Sequence, residues 1–146
     1  MEPIFTANHR FSYHEQTPNG MTLICHAKRM HDMLIKQNGW KSRHNKKGSW
    51  GNDINICRIG WAIRYFPKKE SLSVYKIASL MHDGWCDCFD YWITHKPWKD
   101  SNRSYQRPCK LLENKITRSC KYFDELGEYQ KDIYFQMAEY VIKNCF

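Results

Sequence analysis

No run of apolar residues in this chain approaches the roughly 20 needed to cross a bilayer, which excludes a helical membrane span. The opening stretch from Met1 to Phe11 lacks a basic start followed by an apolar block, so no secretory signal is expected. The seven cysteines (25, 57, 86, 88, 109, 120 and 145) are odd in number and include no C-x-x-C pair. That pattern argues against a secreted disulfide framework and for reduced thiols in a cytosol. A catalytic set is missing too. His82-Asp83 and His31-Asp32 resemble half-sites of metal-dependent phosphohydrolases, but histidines 9, 14, 26, 44 and 95 do not stand at ligand spacing. Cys86 and Cys88, two apart on a helix, splay by about 200° and cannot share a metal. No nucleophile, base and oxyanion site assemble, so the chain is expected to be a non-enzyme with no cofactor and no metal.

Cationic and aromatic residues, by contrast, are plentiful. The 146 residues suit one domain with a core and are too few for two independent ones. A net charge of +8, with six Trp, nine Tyr and seven Phe, supplies what stacking on a base and pairing with phosphate require. An aromatic core under a solvated basic surface has the same composition.

The expected fold is mainly α (α+β), a single compact domain of about four helices with short β segments and long basic, aromatic loops. Residues 1–20 read as an N-terminal arm with a short strand at Arg10–His14, ending in the turn Pro18-Asn19-Gly20. The helical domain covers 21–146. Leu23, Ala27, Met30 and Leu34 recur at helical spacing and stop at Asn38-Gly39. Residues 40–53 form a basic loop flanked by Trp40 and Trp50. Asp53 is placed as the cap of a second helix running through Phe66, with Ile56, Ile59 and Ile63 on one face.

A third helix is expected from Ser71 to Trp92, with Val74, Ile77, Ala78, Met81, Trp85, Cys88, Phe89 and Trp92 as its apolar stripe. Gly84 inside it costs about 1 kcal/mol relative to Ala and reads either as a close approach to the backbone or as a tolerated accident. Residues 94–108 form a second basic, aromatic loop, and short elements are expected around Leu111–Leu112 and near Cys120–Phe123. After the Asp124-Glu125-Leu126-Gly127 turn, a last helix faces Tyr129, Ile133, Met137, Tyr140 and Val141 inward, with Lys143 near its negative end.

The segment I-A-S-L-M-H-D-G-W at 77–85 is similar to the first helix of the ryanodine-receptor (RyR) repeat domain, which carries an H-[DE]-x-W motif at its centre. The segment from Lys121 to Lys143 resembles that family's ending, an aromatic residue before a D-E-L turn and a final amphipathic helix. A-K-R-M-H-D at 27–32 and I-C-R-I-G-W-A-I-R-Y-F at 56–66 resemble helices of the small stand-alone bacterial and phage members. The family's usual G-W-x-Y-G and K-x-H-P segments are replaced at 93–120 by a loop carrying Trp98, Arg103, Tyr105 and Arg107.

The resemblance implies a non-enzymatic binding module for a nucleotide-derived small molecule, an ADP-ribose-type or cyclic nucleotide signal. In that reading it is a phage or bacterial sensor or sequestering protein in immune conflict, acting in the host cytoplasm. Candidate ligand-binding residues are Trp40, Arg43, Trp50, Arg64, His82, Trp85, Trp98, Arg103, Tyr105 and Arg107, with His82 and Trp85 as the pocket floor. Each has a plainer role: His82 as a core histidine, Trp85 as stripe packing, the loop aromatics as anchors. The rival functions are single-stranded nucleic-acid binding through the two basic loops and a protein-interaction accessory factor. A membrane partner is not expected, and a homo-oligomer is left open.

Overall fold

The computed structural model describes residues 11–40, 50–95 and 122–146, apart from the side chains of residues 50, 51 and 92–95. Four helices form in chain order: α1 (Leu23–Asn38), α2 (Trp50–Tyr65), α3 (Val74–His95) and α4 (Glu128–Asn144), with a short 3-10 turn at Phe123–Glu125 before α4. The described residues contain no strand. Their one β pairing is an isolated antiparallel bridge between Gln16 and Thr22. The strand expected at Arg10–His14 does not form over 11–14: Phe11 and Tyr13 are buried and Ser12 and His14 exposed, as alternation predicts, but residues 13 and 14 turn and no described strand pairs with this segment.

The ends of α1 follow from its sequence. The Thr22 hydroxyl accepts from the Cys25 N–H, and Gly39 closes the helix in the left-handed region at φ 68°. Leu23, Ala27, Met30 and Leu34 are buried as the spacing predicts, and Ile24 and His26 are buried with them. The second helix departs from expectation at its start. It begins at Trp50, so residues 50–53 are helix rather than loop, and Asp53 lies in the first turn instead of capping it. A carboxylate there still opposes the positive end of the helix dipole.

Nor is α2 buried on one stripe. Asn52, Asp53, Ile54, Asn55, Ile56, Cys57, Ile59 and Ala62 are all buried, because α1 and α3 both pack against it. The third helix starts at Val74, where the Ser73 hydroxyl accepts from the Lys76 N–H, and continues to His95, past the expected end at Trp92. In α4 the buried residues are Tyr134, Met137, Ala138 and Val141. Tyr129, expected to face inward, is 64% exposed in the first turn of the helix. The expected elements within 109–121 lie outside the described residues.

Two glycines allow close approach to α2. A methyl group at Gly84 of α3 would stand 2.6 Å from the Cys57 carbonyl oxygen and 3.0 Å from Trp61 Cβ. One turn along, the Trp61 indole N–H donates to Asp87 at 3.2 Å. A methyl at Gly60 would meet the Phe11 ring at 2.6 Å, and the Arg64 guanidinium lies 4.2 Å from that ring's centre on the same side.

His26 pins residues 11–20 to α1 and α4. Its Nε2 lies 3.1 Å from Asn19 Oδ1, and its Nδ1 lies 2.8 Å from the Tyr140 hydroxyl. Because Asn19 Oδ1 only accepts, Nε2 carries the proton, and Nδ1 accepts from Tyr140. The neutral ring therefore satisfies both partners. Burial first, and the Arg29 cation second, hold its pKa below the ordinary 6.5.

Two outcomes follow. Gly84→Ala should cost about 1–3 kcal/mol through overpacking against backbone, despite a helix-propensity gain of about 1; urea unfolding reads it as a lower midpoint. As pH falls, the unfolded chain protonates at residue 26 before the folded one does. The stability His26 contributes is thus present above about pH 6.5 and lost below it. Urea midpoints measured on both sides of pH 6.5 should fall on acidification, and fall less in His26→Gln.

Candidate functional site

The sequence from Gly39 to Trp40 places the first wall of a cleft. The left-handed Gly39 ends α1, the Trp40 N–H donates back to the Ile35 carbonyl at 3.2 Å, and the indole is turned toward α4. There the Trp40 indole N–H donates to the Tyr129 hydroxyl at 3.1 Å. This bond ties the end of α1 to the start of α4 and explains why Tyr129 remains at the surface.

The D-E-L turn sets the opposite end. Glu125 accepts from the Tyr122 N–H at 3.2 Å, Asp124 accepts from the Tyr75 hydroxyl, and Leu126 is buried. Between these elements lies a cleft of about 280 Å³. Its walls include Trp40, Arg58, His82, Trp85, Tyr129 and Tyr134.

The floor comes from α3 and α4. His82 is only 3% exposed, its ring stacked on Trp85 at 5.8 Å between centres and 12° between planes. Its Nδ1 lies 3.2 Å from the Tyr134 hydroxyl, and the Tyr134 ring meets it edge-on at 5.3 Å. Trp85 packs in turn on Phe89 at 4.5 Å. Burial pushes the Tyr134 hydroxyl above its ordinary range, with Arg58 opposing, so at neutral pH it remains a neutral group.

Arg58 supplies the cleft's charge. Its guanidinium carbon stands 5.1 Å from the centre of the Tyr134 ring, and Nη1 donates to Asn55 Oδ1 at 3.1 Å. Its Nε is buried and has no hydrogen-bond partner among the described residues. A buried donor on a cation left unpaired is costly, so the position of this atom needs a reason.

Of the ten sequence candidates, Trp40, His82 and Trp85 come together in this cleft. Arg64 does not. It lies at the other end of α2, paired with Glu15 at 3.0 Å and stacked over Phe11. Arg43, Trp98, Arg103, Tyr105 and Arg107, and the side chain of Trp50, lie outside the described residues. Sequence reasoning missed Arg58, Tyr129 and Tyr134. The available signal for Arg58 was a lone cation inside the apolar run Ile54 to Ala62, where an unpaired charge needs a reason. Among the described residues, no group of three or more His, Cys, Asp or Glu side chains could hold a metal ion. No described helix is long and apolar enough to cross a membrane.

Comparisons with protein-family models, with curated proteins and with solved structures found no match to this chain.

Proposed function

We propose that this chain is a non-enzymatic binding module of the RyR-repeat type whose cleft takes a nucleotide-derived small molecule. The observation that carries this reading is Arg58 Nε, a buried cationic donor without a partner among the described residues, inside a cleft walled by Trp40 and Trp85. Flat aromatic walls suit a base, and a guanidinium suits the anionic part attached to it. A mainly apolar concavity with a few convergent polar groups is the usual form of a small-molecule site. The His82-Asp83-Gly84-Trp85 motif supports the same reading through its position, since two of its side chains form the floor. In its most concrete form, the ligand is an ADP-ribose-type or cyclic nucleotide signal. The chain senses it or holds it unaltered in phage–bacteria conflict.

Thermal unfolding against a panel of ADP-ribose, cyclic mononucleotides and cyclic dinucleotides tests this. One class should raise the midpoint, by the equivalent of about 2.7 kcal/mol at a hundredfold excess over Kd. Arg58→Gln should remove the shift, and a ligand held unaltered should be recovered intact by mass spectrometry after heating. No shift across the panel contradicts the proposal. Oligonucleotide binding that weakens steeply with salt would replace it with the nucleic-acid reading.

A further inference from the structure

Behind the cleft floor, Cys86 Sγ lies 3.7 Å from His82 Nε2. The other ring nitrogen of His82 faces the Tyr134 hydroxyl at 3.2 Å. The three side chains thus form a line from a half-buried thiol through a buried imidazole to a buried phenol. We propose that Cys86 is a modification site for small soft electrophiles, with His82 as its base and Tyr134 as the group that positions His82.

Four features of the arrangement favour the thiolate–imidazolium pair. The S···N separation is within reach of a sulfur hydrogen bond. The Tyr134 oxygen, neutral because its hydroxyl is pushed up by burial, can accept from Nδ1–H once the ring is protonated. Trp85 lies nearly parallel to the imidazole, and an indole face attracts a cation. The groups around the pair are mixed in sign. Arg58 of α2 faces Tyr134 and favours an anion at sulfur. Asp83 of α3 acts on the same tyrosine and favours a cation at the ring.

The remaining described thiols lack these conditions. Cys57, Cys88 and Cys145 are buried. Burial pushes Cys88 well up, with the hydrogen-bonded Cys57 thiol adding to it, and pushes Cys145 up to about 12. Cys25 is half-buried like Cys86, so it serves as the internal control for access. Neutral buried thiols are inert, because the thiolate is the nucleophile.

With iodoacetamide, the Cys86 sulfur forms a bond to the methylene carbon as the carbon–iodine bond breaks. Iodide leaves, and the thiol proton passes to His82 Nε2 and on to solvent.

The test is site-resolved labelling of the native full chain with iodoacetamide, each cysteine followed by peptide mass spectrometry across pH. Cys86 should reach half its maximal rate below the pH of about 8.5 at which ordinary thiols titrate. Its labelling at neutral pH should exceed that of Cys25 roughly tenfold, as the larger thiolate fraction requires. Tyr134→Phe, checked for native helix content by circular dichroism, should move the Cys86 midpoint upward and leave Cys25 unmoved. The wild-type profile stands alone if that variant fails to fold. A Cys86 midpoint at or above the ordinary value, labelling no faster than Cys25, or protection of Cys86 from label would each overturn the proposal. None of these outcomes depends on whether the cleft binds a nucleotide.

Discussion

At Gly84, α3 comes against α2 with no side chain between them, and the placement of its neighbours on α3 follows from that contact. With no Cβ at this position, the Cys57 carbonyl can come within the space a methyl group would occupy. The two helices then meet backbone to backbone, and the side chains flanking Gly84 are set against α2. His82 and Trp85 on one side face the cleft, while Asp87 reaches the Trp61 indole and Cys88 reaches Cys57. A wider crossing would separate Arg58, carried on α2, from His82 on α3. The pocket's cation and its aromatic floor would no longer share one space.

The same crossing explains why a charged residue stands in the middle of a buried helix. Arg58 sits next to Cys57, at the edge of the contact, and its guanidinium passes over the Tyr134 ring of α4. Asn55 takes one of its donors, and the Tyr134 face stabilises its charge. The cleft therefore combines three helices: the cation comes from α2, the stacked imidazole and indole from α3, and the phenols from α4. Trp40, turned by the left-handed Gly39, closes it from the end of α1.

Much of the helical frame was legible in the sequence. Thr22 and Gly39 bound α1 because capping chemistry is local, and the apolar spacing of α3 identified its buried face. Gly84 left two readings open in the sequence, a close neighbour or a tolerated accident, and the Cys57 carbonyl decides between them. What failed has a common cause. Alternation and one-sided stripes assume that an element has one buried face, and α2 has several, so its start and its charged residue were misplaced. Phe11 and Tyr13 read as a strand because their burial alternates with exposed Ser12 and His14; that no second strand pairs with them, and that Phe11 fills the space left by Gly60, no local pattern records. Trp40, His82 and Trp85, named from residue type and motif, come together in one cleft. Arg64 was assigned by charge alone, and its pairing with Glu15 over Phe11 is a long-range contact. Arg58 and Tyr134 were missed because their roles arise only where α2, α3 and α4 converge.

The most direct measurement of the central claim is a crystal structure of the full chain with ADP-ribose or a cyclic nucleotide. A base stacked against Trp40 or Trp85 is expected, with a ligand oxygen accepting from Arg58 Nε. A ligand bound elsewhere on the chain, with the cleft empty and Arg58 Nε still unpaired, would contradict it.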